Sequence, residues 1–237
     1  MRKKVVVISG GLGLLGKAIG LQLLNDGFKV VFLFNKILGK LFYSPNAHIY
    51  KCDITDRQQL KEVLKDIEKE VGKINIGIHC ANSKINRKKI SQVYLENFKE
   101  QFEVGLFGGF NFFKALSEYF KPRKKGLLIG LTTSAIESEG ISGNYGGYIS
   151  SKFALKGMIK EFADDLGKYG INVCAVAVGM VAGGLNFDLP PRFFDFVSEL
   201  NPAGFLTEPK DVAIAVSKIC KDSSNLNGKT IIVDKLT

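Results

Sequence analysis

The chain has 237 residues, 46% of them hydrophobic and 24% charged. That length and content suit one large α/β domain around a buried core and exclude a disordered class. The formal net charge is +10, but the basic clusters at residues 2–4, 84–89 and 121–125 share no single helix and no interleaved aromatic platform, so they read as solvated loops with no nucleic-acid partner.

Val5-Val6-Val7-Ile8 is a continuous β-branched run, the pattern of a strand buried on both faces. It leads into Ser9-Gly10-Gly11-Leu12-Gly13-Leu14-Leu15-Gly16, after which residues 17–24 repeat their apolar positions with helical period up to Gly27. Strand, glycine turn and helix, in that order, seat a dinucleotide. The glycines let the backbone turn tightly and approach a pyrophosphate, and the helix start offers it free N–H groups. Residues 29–34 and 47–51 read as the second and third strands. Residues 56–71 read as an amphipathic helix from the spacing of Leu60, Val63, Leu64 and Ile67, and 74–80 as the fourth strand.

One long helix is expected over 95–119, with Phe98, Phe102, Phe107, Phe110, Phe112 and Phe113 as core or subunit contacts. Residues 126–131 read as the fifth strand and 171–178 as the sixth. A closing helix over 209–220 and a strand over 230–233 complete the chain. Right-handed crossovers then predict a single doubly wound Rossmann domain over residues 1–237. Its parallel seven-stranded sheet has the order 3-2-1-4-5-6-7, helices cover both faces, and the site lies at the carboxyl ends of the strands.

No apolar run reaches the roughly 18 residues that cross a bilayer, so no membrane partner is expected. Met1-Arg2-Lys3-Lys4 runs straight into a short strand, which reads as no cleavable leader and a cytoplasmic protein. Four cysteines without paired spacing read as reduced, buried thiols, and with two histidines in the chain no metal centre is expected. His79, ending a strand between Ile78 and Cys80, reads as structural.

Tyr148-Ile149-Ser150-Ser151-Lys152 puts a phenol and an ammonium one helical turn apart. A cation beside a phenol favours the phenolate and draws its pKa from 10 toward neutrality, which makes a general acid for a carbonyl. A tyrosine four residues before a lysine also occurs on ordinary helix surfaces, so the pair gains its meaning from the glycine turn upstream.

Together these two motifs resemble the short-chain dehydrogenase/reductase family, nearly end to end and most of all its 3-oxoacyl-[acyl-carrier-protein] reductases. Further matches are Asp53 in Cys52-Asp53-Ile54-Thr55-Asp56, Ala81 in His79-Cys80-Ala81-Asn82, the region of Ser134, Ile171-Asn172-Val173, and the close from Asn227 to Asp234. The resemblance implies an NADP- or NAD-dependent oxidoreductase that interconverts a small-molecule carbonyl and its alcohol. Tyr148 would be its general acid/base, with Lys152 holding the nicotinamide ribose and lowering the Tyr148 pKa. Ser134 would fix the carbonyl, with Thr133 in reserve.

It also implies cofactor contacts from Ser9, Gly10, Leu12, Gly13, Leu15 and Gly16 around the pyrophosphate. Asp53 and Ile54 would meet the adenine, Ala81 would lie behind the cofactor, and Val181 would meet the nicotinamide amide. No acidic residue occurs between Asp26 and Asp53, and Asn35 and Lys36 follow the second strand with Lys40 nearby. A lysine attracts a 2′-phosphate that a carboxylate would repel, which favours NADP over NAD. Segment 184–206 would close over the substrate, and a homodimer or homotetramer is implied.

The chain departs from the family pattern at Cys80, Asn82, Gly105, Val178 and Gly183. Gly105 stands where relatives carry an asparagine that holds a bent helix turn and a water linked to the active-site lysine. Among substrates, 3-oxoacyl thioesters rank first, with steroid-like or other apolar ketones and sugars or nucleotide sugars as the alternatives. The rival reading is an NAD(P)-binding redox sensor or scaffold without turnover.

Overall fold

The computed structural model describes residues 3–36, 44–137, 145–200 and 206–234. Lys40 and residues 201–205 of the expected covering segment lie outside them. Seven parallel strands form one sheet: β1 (Val5–Ser9), β2 (Lys29–Phe34), β3 (Ala47–Lys51), β4 (Ile74–His79), β5 (Gly126–Thr133), β6 (Ile171–Val178) and β7 (Thr230–Val233). Their order is β3-β2-β1-β4-β5-β6-β7, as the sequence predicts. β1 shows why its uninterrupted β-branched run was needed. Val5 and Val7 enter one core layer, Val6 and Ile8 the other, and all four are buried.

Helices α1 (Leu14–Asn25) and α7 (Pro209–Lys221) cover one face, burying Ile19 and Leu23 beside Val212 and Val216. On the other face lie α2 (Arg57–Glu70), α4 (Gly109–Phe120) and α5 (Tyr148–Gly167), with Leu60 and Leu64, Phe112 and Phe113, and Leu155 and Ile159 in one cluster. The Asp56 carboxylate caps α2 by accepting from the backbone N–H groups of Gln58 and Gln59. A shorter helix, α6 (Pro191–Leu200), lies in the segment between β6 and α7. Among the described residues no helix is long and apolar enough to cross a membrane.

The long helix expected over 95–119 departs from regularity. α3 (Leu95–Phe102) continues into a π-helical turn over Glu103–Gly108, and only then into α4. The turn is held from below. His79 Nε2 lies 2.9 Å from the Gly105 carbonyl oxygen and His79 Nδ1 lies 2.8 Å from Ser9 Oγ, so one buried imidazole links β1, β4 and the turn. Burial pushes the His79 pKa down to about 4, helped by the nearby Lys152 charge. The ring is therefore neutral at pH 7, which fits a structural histidine.

Candidate active site

A cavity of about 1290 Å³ opens along the carboxyl ends of the strands. Sites for single drug-sized ligands run from about 300 to 1,000 Å³, so this one has room for two molecules. At one end, Gly10 has φ +65°, and a Cβ there would lie 2.7 Å from Ala81 Cα. A Cβ on Gly16 would lie 2.3 Å from the Gly10 carbonyl oxygen. Side chains are thus excluded where β1 turns into α1. The N-cap residue of α1, Gly13, gives no side-chain cap, and the first turn carries no carboxylate. That helix start suits an anion such as a pyrophosphate.

Thirteen of the fourteen residues expected at the cofactor line this cavity, from Gly10, Leu12, Gly13, Leu15 and Gly16 through Asn35, Lys36, Asp53, Ile54 and Ala81 to Tyr148, Lys152 and Val181. Ser9 does not. It is fully buried and its hydroxyl is spent on His79, so the turn meets the cavity only from Gly10 onward. Lys36 is exposed at the rim, whereas Asn35 donates to Asp53 Oδ2 at 2.8 Å. Burial pushes the Asp53 carboxyl up, but hydrogen bonds from Thr55 and Asn35 outweigh it and hold it below its usual range.

Tyr148 opens α5, and Lys152 follows one turn on, its Nζ 5.6 Å from the Tyr148 ring centroid. Lys152 donates to the Leu131 carbonyl at 2.9 Å and is 6% exposed. Burial lowers its pKa to about 8, partly opposed by Cys80. The Tyr148 hydroxyl lies deep enough that burial raises its pKa to about 12, against a hydrogen bond from Thr133 and the charge of Arg87. The expected depression by Lys152 is therefore not what this structure shows. Desolvation dominates both groups, and the ammonium is engaged by a carbonyl.

The two hydroxyls at the end of β5 divide differently from the expectation. Ser134 Oγ donates to Asp234 Oδ2 at 2.9 Å, which turns its proton away from a carbonyl. Thr133, the reserve, is the hydroxyl that meets the Tyr148 side chain. Counting back from Tyr148 could not separate them, because residues 138–144 intervene.

Arg87 was grouped with solvated basic loops, yet it is largely buried. It donates to the Leu185 carbonyl at 3.1 Å, to Asn186 Oδ1 at 2.8 Å and to Asp188 Oδ1 at 3.0 Å, and it lies over the Tyr145 ring at 5.9 Å. It fastens the start of segment 184–206, expected to cover the substrate, to the wall beside Tyr148. Its partners are about a hundred residues away, so no local pattern announces it. Among the described residues no group of His, Cys, Asp and Glu is arranged to hold a metal ion.

Comparison with known proteins agrees with this geometry. A family described as Enoyl-(Acyl carrier protein) reductase matches residues 14–235. The chain is 27% identical to the 3-oxoacyl-[acyl-carrier-protein] reductase of Thermotoga maritima, over 98% of this chain and 96% of that one. It is 25% identical to zerumbone synthase of Zingiber zerumbet, over 98% and 93%. The crystal structure of 3-ketoacyl-(acyl-carrier-protein) reductase from Brucella melitensis complexed with NADH superposes with a TM-score of 0.88 at 20% identity, covering 98% and 96%. The chain belongs to the short-chain dehydrogenase/reductase family, whose members are oxidoreductases acting between CH–OH and C=O with a nicotinamide dinucleotide.

Proposed function

We propose that this protein is an NADP-linked oxidoreductase that interconverts a carbonyl and an alcohol, with Tyr148 as its general acid/base. The observation that carries the reading is one cavity with an anion-ready glycine turn at one end and Tyr148, Thr133 and Lys152 together at the other. Gly10, Gly13, Gly16 and the first turn of α1 would hold the pyrophosphate. Lys36 at the rim would attract the 2′-phosphate, and Lys152 would reach the nicotinamide ribose. The nicotinamide, when bound, supplies or accepts the hydride.

Tyr148 with a pKa near 12 keeps its proton throughout the neutral range, as an acid for carbonyl reduction must. Thr133 takes the supporting role expected of Ser134. Its hydroxyl shares the reacting oxygen with Tyr148 and stabilises the phenolate left behind. Arg87 keeps Leu185 and Asn186 over the site, which limits water. Phe107, Phe110 and Phe153 are each at least 41% exposed, and this face would seat a second copy of the chain.

The test is NADPH consumption with a panel of 3-oxoacyl thioesters, apolar ketones and hydroxylated ketones. Tyr148→Phe keeps the ring and removes only the hydroxyl, so NADPH binding should persist while turnover falls about 10²–10⁴-fold. Turnover by Tyr148→Phe at the unaltered rate would remove Tyr148 from the chemistry. NADPH binding with no turnover across the panel would favour a redox sensor.

A further inference from the structure

Arg87 reaches three separate parts of the chain. Its Nε donates to Asp188 Oδ1 at 3.0 Å, and its Nη2 donates to the Leu185 carbonyl at 3.1 Å and to Asn186 Oδ1 at 2.8 Å. The Asn186 carboxamide is engaged at both ends. Its Oδ1 accepts from Arg87, while its Nδ2 donates to the Val181 carbonyl at 2.8 Å and lies 3.2 Å from Met180 Sδ. Val181 lines the cavity where the nicotinamide amide is expected. A single carboxamide therefore joins the guanidinium to that wall.

The same guanidinium faces the start of α5. Its Cζ lies 5.9 Å over the Tyr145 ring, whose centroid is 6.3 Å from that of Tyr148. The backbone fixes this arrangement, because the Gly146 N–H donates to the Lys88 carbonyl at 3.0 Å and the Tyr148 N–H to the Tyr145 carbonyl at 2.9 Å. Gly146 has φ +49°, and a Cβ there would lie 2.8 Å from the Asn86 carbonyl oxygen, so residues 86–88 stand directly against the turn that opens α5. Thr133, Tyr145, Lys152 and Arg87 are the polar and charged side chains that face the phenol. Burial raises the Tyr148 pKa, the Thr133 bond and the Arg87 charge oppose that rise, and Tyr145 adds to it. Burial pushes Tyr145 up as well, so it stays neutral, and the Lys152 ammonium is engaged by the Leu131 carbonyl. Asp188, held below its usual range first by its bond from Arg87, stays ionised beside the guanidinium.

An arginine is charged at every pH of interest, and its planar fork holds a direction only when its acceptors are in place. Released from Leu185 and Asn186, the side chain would turn to water, where its field at the phenol is screened. We propose that Arg87 and Asn186 are positioning residues that couple the seating of residues 185–188 to the charge at Tyr148: the guanidinium faces the phenol only while that segment holds it there. The coupling deepens the reading of Tyr148 as the general acid/base and rests on it for its use in the reaction. With the segment seated, Tyr148 is the stronger acid, so proton transfer is favoured when the substrate is covered. Because the Asn186 carboxamide also holds Val181, the cofactor wall and the acid answer to one side chain.

The experiment follows the Tyr148 phenol directly, in the NADP complex between pH 7 and pH 11, as the ultraviolet difference between each protein and the same protein carrying Tyr148→Phe. Arg87→Met removes the charge. Asn186→Ala removes no charge and only frees the fork. In both variants the phenolate should appear at a pH higher by about one unit, the effect of a unit charge roughly 10 Å away in a partly buried site. NADPH fluorescence titration checks that each variant is folded and binds. A merely structural clamp would raise the KM of a ketone or alcohol substrate and leave the phenol where it was. No shift in Asn186→Ala, or none in Arg87→Met, overturns the coupling.

Oxidation rates with NADP, taken for the alcohol of a ketone that the protein reduces, separate the coupling from the reaction. Their alkaline limb should move with the phenol in both variants and vanish in Tyr148→Phe. A phenol that shifts in both variants beside a limb that survives Tyr148→Phe keeps the coupling and sinks the catalytic reading. A limb that Tyr148→Phe abolishes but neither Arg87→Met nor Asn186→Ala moves sinks the coupling alone.

Discussion

Lys152 is a buried ammonium, and its cost to the fold is measurable. Its folded-state pKa is about 8 against an ordinary 10.5. Below pH 8 both the folded and the unfolded chain carry the proton, and the folded chain bears the full penalty of a desolvated charge, about 3 kcal/mol at 1.36 kcal/mol per pH unit. Between pH 8 and 10.5 the folded chain releases its proton while the unfolded chain keeps it. Stability from this group therefore rises with pH, by about 2.5 kcal/mol from pH 7 to pH 10. Lys152→Met removes the titration and fills similar volume. Other groups titrate over the same range, so the informative quantity is the difference in unfolding free energy between the unaltered protein and Lys152→Met, taken from urea unfolding at pH 7, 8, 9 and 10. The loss of the bond to the Leu131 carbonyl offsets that difference equally at every pH and cancels from its slope. A difference flat across the range would refute the reasoning, because it would mean that Lys152 titrates alike in both states.

Lys36→Asp exchanges an attraction for a repulsion at the 2′-phosphate, about 2 kcal/mol at roughly 4 Å in water, so the NADPH-to-NADH affinity ratio should fall about thirtyfold; tighter NADH than NADPH binding by the unaltered protein would contradict the assignment. Gly16→Ala sets a methyl against the Gly10 carbonyl and should cost about 1–3 kcal/mol of stability together with most of the NADPH affinity, checked by thermal unfolding and by fluorescence titration. Thr133→Ala should lower kcat about tenfold to a hundredfold and raise the alkaline limb of the oxidation pH profile, because the phenolate loses a donor; a profile identical to that of the unaltered protein would detach Thr133 from Tyr148.

The sheet was readable because most strands are short apolar runs bounded by glycine or polar residues, and its order because the chain resembles a family that has it; right-handed crossovers alone allow other orders. The approach of Gly10 and Gly16 and the one-turn pairing of Tyr148 with Lys152 were readable because they depend on local spacing. What escaped the sequence depends on long-range approach. Thr133 and Ser134 are neighbours of the same chemical type, and only the position of Asp234, a hundred residues on, distinguishes their hydrogen bonds. Arg87 looked like one more surface cation until Leu185, Asn186 and Asp188 surrounded it. The pKa of Tyr148 moved opposite to expectation because spacing reveals the nearby ammonium but not the depth of burial.

The π-helical turn at Glu103–Gly108 behaves like a one-letter insertion in a message read by angle. Each residue of a helix rotates the next by about 100°, so an extra residue would turn everything downstream by about a quarter-turn unless a wider turn absorbs it. Phe112, Phe113, Leu116 and Phe120 face the core, each fully buried, because the wider turn takes up that rotation. Deleting one residue from 103–108 would allow a regular helix that keeps this aromatic row on the core, while withdrawing the Gly105 carbonyl from His79. A shorter, straighter helix here would thus bury the same face of α4 and change only what the turn presents to β4.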